Sequence, residues 1–449
     1  MSTPTWRRAA ATAAALAVAV PLASCAATGD SASDRISVLM VGNPQMTDLQ
    51  ELTEQHFTAE TGLAVDFTVL PENELRDRVA QDLAAGVSKY DVISINSSET
   101  PYYADLGWLQ DLTAYTEQDT AFDVDDVLPS MLTTYSASDG GIHGIPFYGE
   151  SSFVMYRTDL FEAAGITMPE HPTWDQIAEY AAALDSGDTA GICLRGQPAA
   201  GQMFAPLGTI VNTFGGTWFT EDWEPQVDSP EFTEAVQFYV DLVRDSGETG
   251  AAQAGFTECL NLFGQGKAAM WYDATAGAGL VENPETSTVA GKVGYAYAPT
   301  KLTDYSGWIA GWGWGVPKNS AKADAAWEFI SWASSAGYEE LVGSEIGWSN
   351  VPDGKRESTY SNPDYLAHAG SYAPIVLDSI KSIDPRDPGV QPRPTIGTIF
   401  VAIPEFSLLA TRTAEQINAI LAGQADSVAD ALAVGQELAI PIGQEYAGE

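Results

Sequence analysis

Between residues 36 and 95, short apolar strands alternate with amphipathic helices, and this pattern constrains the fold more than any other feature of the chain. Alternating apolar positions predict strands over residues 36–41, 63–69 and 91–95. Apolar residues at helical spacing predict helices over residues 49–57 and 75–83, which glycines end. Strands and helices in alternation build parallel sheets with helices on both faces, so we expect an α/β fold.

Polar side chains follow the first and third predicted strands. Asn43 and Gln45 come after the first strand, and Glu99 comes after the third. Sheets of this kind bind ligands beyond the carboxyl ends of their strands. These three residues are therefore candidates for a ligand site at one edge of the sheet.

Later patterns and the length of the chain indicate a second domain. A new unit is predicted to begin near Pro146, and Thr173 with Gln176 forms a capping box ahead of an amphipathic helix. Short strands return over residues 268–297, and residues 325–335 predict a further helix. Because 449 residues exceed what one core commonly holds, we expect two domains.

The N-terminus has the layout of a secretory leader. Two arginines, Arg7 and Arg8, precede an apolar run of about 14 residues, which is shorter than the roughly 20 residues of a membrane span. The leader closes on Leu-Ala-Ser-Cys, a lipoprotein box, which predicts a signal peptide over residues 1–24 and lipidation of Cys25. Residues 25–35 would then tether an exported protein to the outer face of the cell membrane. The arginine pair leaves both the general and the twin-arginine export routes open.

The charge of the chain excludes some partners. Acidic residues number 61 and basic residues 20, which gives a net charge of −41. The acidic residues are spread along the whole sequence, and such a surface repels nucleic acid and anionic lipid headgroups. We therefore expect no nucleic acid partner and no membrane contact beyond the lipid anchor. We also expect a monomer.

Three cysteines are present. With Cys25 lipidated, Cys193 and Cys259 remain as an even pair in an oxidising compartment, where a disulfide is expected. Two buried free thiols are the alternative.

Motifs for cofactor or metal chemistry are missing from the sequence. There is no phosphate-binding glycine loop and no Gly-x-Ser-x-Gly motif, and the four histidines lack the spacing of metal ligands. Asp123, Asp125 and Asp126 resemble part of a calcium loop, but its glycine and distal glutamate are absent. We expect no cofactor and no metal.

Tryptophans give the strongest positive signal for a ligand. Six of the 12 tryptophans lie between residues 308 and 348, and Trp312 stands in the segment GWGWG, where small neighbours leave its ring faces open. Sugars and sugar alcohols present C–H faces that stack on indole rings. The alternative is that these tryptophans only fill a core.

Three charged residues and one further tryptophan are additional candidates. Glu150 lies in PFYGESS and Arg195 in CLRG, both beside glycines. Asp273 follows Trp271 in MWYDAT, so a hydrogen-bond acceptor adjoins a stacking surface. Such groups bind hydroxyls well, although surface salt bridges would explain the charged residues equally simply.

Several longer segments resemble a known family. The runs GIPFYGESSFVMYRTDLFEAAGI and PTWDQIAEYAAAL are similar to the signature region of family 1 extracellular solute-binding proteins of ABC importers. Further similar blocks, among them NLFGQGKAAMWYDAT and AAWEFISWASS, extend the resemblance over nearly the whole chain. The segments ICLRG, VNTFGGTWF and FVAIPEF most resemble the binding proteins for sugar alcohols such as sorbitol and mannitol.

This resemblance implies a periplasmic-binding-protein fold, in which a hinge joins two α/β lobes and a ligand lies in the cleft between them. By analogy, the first lobe would hold residues 36–145 and 270–309, and the second residues 146–269 and 310–449. The matching motifs imply that the residues lining this cleft are Tyr148, Glu150, Arg195, Trp271, Asp273 and Trp312.

The resemblance also implies capture of a polyol or sugar by closure of the lobes, delivery to the membrane subunits of an ABC permease, and no enzymatic activity. A secreted glycoside hydrolase is the main alternative, since Glu99 with Glu150 or Asp273 would supply its two carboxylates. A surface adhesin or structural lipoprotein is a third hypothesis, and it predicts no small-molecule ligand.

Overall fold

A computed structural model describes residues 35–87 and 89–448. The predicted signal peptide, Cys25 and nearly all of the tether lie outside these residues. Within them, no helix combines the length and apolar character that a membrane crossing requires.

The described residues form nine strands and nineteen α-helices. The strands are β1 (Arg35–Val41), β2 (Ala64–Leu70), β3 (Val92–Asn96), β4 (Gly144–Glu150), β5 (Ser152–Arg157), β6 (Ala190–Cys193), β7 (Ala268–Ala274), β8 (Val293–Tyr297) and β9 (Ala310–Gly315).

The helices up to β9 are α1 (Pro44–Thr47), α2 (Leu49–Leu52), α3 (Ala59–Thr61), α4 (Glu72–Ala84), α5 (Thr100–Asp105), α6 (Thr113–Gln118), α7 (Pro129–Thr133), α8 (Thr158–Ala164), α9 (Trp174–Leu184), α10 (Phe204–Thr213), α11 (Pro230–Ser246), α12 (Phe256–Gly264) and α13 (Gly277–Val281). Those after it are α14 (Ala323–Ala333), α15 (Ala336–Val342), α16 (Pro363–Ala369), α17 (Ala373–Ser382), α18 (Phe406–Leu421) and α19 (Val428–Tyr446).

The strands make two separate sheets. The first has the order β2-β1-β3-β9-β4, with β1 parallel to β2 and β3, and β9 antiparallel to both of its neighbours. The second has the order β6-β7-β5-β8. We call the elements packed around the first sheet (β1–β4, β9, α1–α7, α14 and α15) the first lobe, and those around the second (β5–β8, α8–α13, α18 and α19) the second lobe.

The early elements agree with the sequence pattern. The three predicted strands are confirmed as β1, β2 and β3, each within one residue of its expected ends. The capping box is also confirmed, because the Thr173 hydroxyl accepts from the Gln176 backbone N–H while the Gln176 side chain accepts from the Thr173 N–H. The helix predicted over residues 325–335 is α14, which starts two residues earlier.

The expected division into lobes is wrong at three places. Residues 270–309 were expected in the first lobe, yet β7 and β8 belong to the second sheet, where Cys193 of β6 lies opposite Trp271. Residues 310–449 were expected in the second lobe, yet β9 lies between β3 and β4, and α14 packs on this sheet through Phe329. The boundary before Pro146 falls inside β4. The physical reason is that strand pairing, which joins distant segments, decides the lobe to which each strand belongs, and the resemblance of short segments to a family does not record that pairing.

A disulfide crosslinks the second lobe. Cys193 at the end of β6 is bonded to Cys259 in α12, with the two Cα atoms 5.7 Å apart. The bond ties the strand that leads into Arg195 to the helix that begins at Phe256.

Removing this disulfide is expected to destabilise the protein. In the chain-entropy model, the crosslink that closes the loop between Cys193 and Cys259 stabilises the folded state by about 4 kcal/mol. The Cys193→Ala/Cys259→Ala variant should therefore show a lower free energy of unfolding in urea, and the wild type with its disulfide reduced should show a similar loss. Equal midpoints and slopes for the oxidised, reduced and double-alanine proteins would contradict this expectation.

Glu248, which follows α11, has a buried side chain. Its side chain lies beside the disulfide, and neither carboxylate oxygen has a hydrogen-bond partner among the described residues. Burial raises the pKa of this carboxyl from 4.5 to about 7. The ionised form therefore destabilises the folded state above that pH, and protonation relieves the destabilisation as the pH falls through 7.

The pH dependence of stability tests this assignment. Between the folded and unfolded pKa values, Glu248 should make the wild type more stable by about 1.4 kcal/mol for each unit that the pH falls. The Glu248→Gln variant lacks this contribution, so its stability relative to the wild type should be greatest above pH 7 and decline toward pH 4.5. Urea denaturation at a series of pH values measures the difference, and a difference independent of pH would refute the assignment.

Candidate functional site

A cavity of about 320 Å³ lies between the two lobes. The carboxyl ends of β1, β3 and β4 form one wall, as the strand-end argument predicts for the first two. Side chains of the first lobe that line it are Asn43, Gln45, Glu72, Arg76, Asn96, Tyr148, Glu150 and Trp312. The principal side chains of the second lobe are Arg195, Gln202, Phe256, Trp308 and Phe400.

Strand pairing brings the polar and aromatic groups of the first wall together. Trp312 of β9 lies opposite Asn96 of β3 on one side and Tyr148 of β4 on the other. The Asn43 amide donates a hydrogen bond of 2.9 Å to the Tyr148 hydroxyl. Gly311 permits this close pairing, since a Cβ atom there would lie 2.3 Å from the Tyr148 carbonyl oxygen.

Arg76 covers one face of the Trp312 ring. Its guanidinium carbon lies 4.8 Å from the ring centre, and it forms ion pairs with Glu72 at 3.0 Å and Glu99 at 2.8 Å. Burial opposes ionisation of Arg76, but the two carboxylates outweigh it and raise the pKa of the guanidinium. This arrangement puts Glu99 beside Arg76 and outside the main cavity, although sequence reasoning expected it on the wall.

Arg195 dominates the opposite wall. Its Nε donates to Asp273 Oδ2 at 2.9 Å, Nη2 also donates to Asp273, and Nη1 donates to the Gly201 carbonyl at 2.9 Å. Its guanidinium carbon lies 5.1 Å from the centre of the Phe256 ring. Burial opposes ionisation of Arg195, but the charge of Asp273 outweighs it and raises the pKa of the guanidinium.

Trp271 and Asp273 support Arg195 from behind. Both side chains are fully buried and neither lines the cavity. The Trp271 indole N–H donates to Asp273 Oδ2 at 3.0 Å, which fixes the carboxylate that holds Arg195. The sequence analysis expected Trp271 and Asp273 on the wall, and the structure places both in the layer behind it.

Glu150 ends β4 and faces the cavity. Burial raises the pKa of its carboxyl to about 7, although the nearby positive charge of Arg195 and a hydrogen bond from Trp308 partly oppose the increase. At neutral pH, Glu150 thus exists in both protonation states, so it can donate or accept hydrogen bonds.

Six of the nine predicted ligand-binding residues line the cavity, namely Asn43, Gln45, Tyr148, Glu150, Arg195 and Trp312. The wall also contains side chains that were not predicted to bind ligand, among them Glu72, Arg76, Gln202, Phe256, Trp308 and Phe400. A signal existed for some of them. Glu72 and Arg76 follow β2 directly, so the strand-end argument extends to them, and Trp308 belongs to the tryptophan-rich segment.

Known proteins resemble this chain over most of its length. Residues 43–340 match the family model described as bacterial extracellular solute-binding protein. The mannitol-binding protein of Pseudomonas aeruginosa is 38% identical over 408 residues, which cover 90% of this chain and 92% of that protein.

Solved structures extend the comparison to the fold. An ABC transporter solute-binding protein from Agrobacterium vitis, with bound D-mannitol, superimposes with a TM-score of 0.87 at 42% identity and covers 92% of this chain and 99% of that one. One from Agrobacterium radiobacter in complex with ribitol gives a TM-score of 0.79 at 25% identity and covers 91% and 98%. The expected periplasmic-binding-protein-like fold is confirmed. The chain belongs to the bacterial extracellular solute-binding protein family.

Proposed function

We propose that this protein captures a sugar alcohol, D-mannitol or a close relative, in the cavity between its lobes and delivers it to the permease of an ABC importer. The cavity carries the proposal, because two lobes jointly supply aromatic rings and hydrogen-bonding groups around one space. The ligands named for the relatives at 38% and 42% identity support the same class.

The wall chemistry suits a neutral chain of hydroxyl groups. Arg195 uses three of its five N–H bonds on Asp273 and Gly201, which leaves two for a ligand. Glu150 and the amides of Asn43 and Gln45 offer further hydrogen bonds, while the aromatic rings offer surfaces for C–H groups. Asp273 holds Arg195 and Tyr148 holds the Asn43 amide in place before the ligand arrives.

Binding by both lobes provides the mechanism of delivery. A ligand that contacts both walls favours the closed arrangement by its difference in affinity for the closed and open states. Closure would present a surface that the permease recognises. Export, lipid anchoring through Cys25 at the outer face of the membrane and a monomeric state complete the proposal.

The geometry favours binding over glycoside hydrolysis. A hydrolase needs two carboxyl groups that flank the scissile bond. Asp273 is fully buried and held by Arg195, and Glu99 is held by Arg76, so Glu150 is the only member of the proposed carboxylate pairs that lines the cavity. No bond of the ligand is made or broken in our proposal.

D-mannitol is expected to raise the thermal unfolding midpoint, because a ligand that binds only the folded state stabilises it by mass action. At a ligand concentration of about 100 times Kd the increase in stability is about 2.7 kcal/mol. Thermal unfolding with D-mannitol, ribitol, erythritol, D-mannose and maltose measures the preference. If no sugar alcohol shifts the midpoint and calorimetry detects no heat, the proposed function is wrong.

Replacing Glu150 is expected to weaken D-mannitol binding. Loss of a hydrogen bond to a charged group costs about 1.5–3 kcal/mol, or roughly 10-fold to 150-fold in Kd. Calorimetric titration of Glu150→Ala measures the loss, and Glu340→Ala, which removes an exposed carboxylate from α15, is the matched control. The same Kd for Glu150→Ala and the wild type would remove Glu150 from the site.

A further inference from the structure

The cavity contains an imbalance of charge centred on Glu150. Glu72 and Glu99 are paired with Arg76, and Asp273 is paired with Arg195. No Lys, Arg or His side chain among the described residues lies within salt-bridge distance of Glu150, whose carboxylate faces the open space. When Glu99 and Asp273, which lie behind the wall, are counted with Glu72 and Glu150, two guanidinium groups stand against four carboxylates, a formal charge of −2 when all are ionised.

A neutral ligand leaves this imbalance in place. Burial already opposes ionisation of Glu150 and raises its pKa to about 7. Arg195 does not remove the imbalance, since two of its nitrogens are bonded to Asp273. A positive charge supplied by the ligand would complete the pairing that the protein leaves open.

The surroundings of Glu150 are suited to a cation. Trp308 donates a hydrogen bond to its carboxylate, and rings of this cavity already carry guanidinium groups, with Arg76 on Trp312 and Arg195 on Phe256. At longer range, the net charge of −41 attracts cations and repels anions.

We propose that the same cavity binds amino-alditols, sugar alcohols in which a protonated amine replaces a terminal hydroxyl, with the ammonium group against Glu150. The inference rests on the proposed function, because the remaining hydroxyls would occupy the positions that D-mannitol takes. The amine retains the donors of the hydroxyl that it replaces and adds the missing positive charge.

Calorimetry with a matched pair of ligands tests this inference. D-mannitol and D-mannamine, which differ only in one terminal hydroxyl or amine, are titrated into the wild type, Glu150→Gln and Glu340→Gln at a pH above the pKa of Glu150. The wild type should bind D-mannamine at least as tightly as D-mannitol. Glu150→Gln should weaken D-mannamine about tenfold more than D-mannitol, because the amide keeps hydrogen-bonding capacity but loses the charge. Glu340→Gln removes an equal charge from the surface and should leave the ratio of the two affinities unchanged.

The outcomes separate this inference from the proposed function. If the wild type binds D-mannitol but not D-mannamine, or if Glu150→Gln weakens both ligands equally, the amino-alditol inference fails and the proposed function stands. If neither ligand binds the wild type, both fail. If D-mannamine alone binds, the inference stands and the assignment to neutral alditols fails. If thermal unfolding shows that Glu150→Gln does not fold, the ratio of the D-mannamine and D-mannitol affinities of the wild type still tests the inference.

Discussion

The buried pair of Arg195 and Asp273 is the interaction on which the ligand cavity depends. It joins the loop after β6 to β7, and the Tyr239 hydroxyl holds the Arg195 backbone carbonyl at 2.7 Å. Breaking a buried pair by removing one partner leaves an uncompensated charge, which typically costs about 3–5 kcal/mol. Substitution of Asp273 would therefore disturb the fold and the site together, whereas Glu150 stands at the surface of the cavity and its replacement leaves no ion pair broken.

The first wall depends on a different constraint, the insertion of β9 between β3 and β4. This insertion places Trp312 beside Asn96 and Tyr148, three residues that are far apart in the sequence. The second glycine of this segment serves the same close approach, since a Cβ atom at Gly313 would lie 2.3 Å from the Ile145 carbonyl oxygen. Trp312 and the glycines of GWGWG thus act together, because the glycines let the strands approach closely and Trp312 lines the cavity.

Local patterns predicted the elements well and their assembly poorly. The prediction that Asn43 and Gln45 lie at the ligand site agrees with their position on the cavity wall. It succeeded because the helix crossover after a parallel strand fixes the direction of that strand, and so the edge of the sheet at which it ends. The position of β9 did not follow, because an antiparallel partner more than 200 residues away leaves no trace in periodicity. Trp271 and Asp273 illustrate the same limit. Their motif marked the site, but only the pairing of β7 with β5 and β6 determines that both side chains lie behind Arg195.

The two sheets differ in how much of the chain must exist before each is complete. All four strands of the second sheet lie between Ser152 and Tyr297, whereas the first sheet lacks its inner strand until Gly315. A chain that leaves the ribosome or the export channel from its N-terminus therefore exposes β3 and β4 without their shared neighbour while the second sheet already has every strand. During biosynthesis the first sheet cannot be completed until β9 has been made. Until then the edges of β3 and β4 are exposed, and a stalled or truncated chain would aggregate through them.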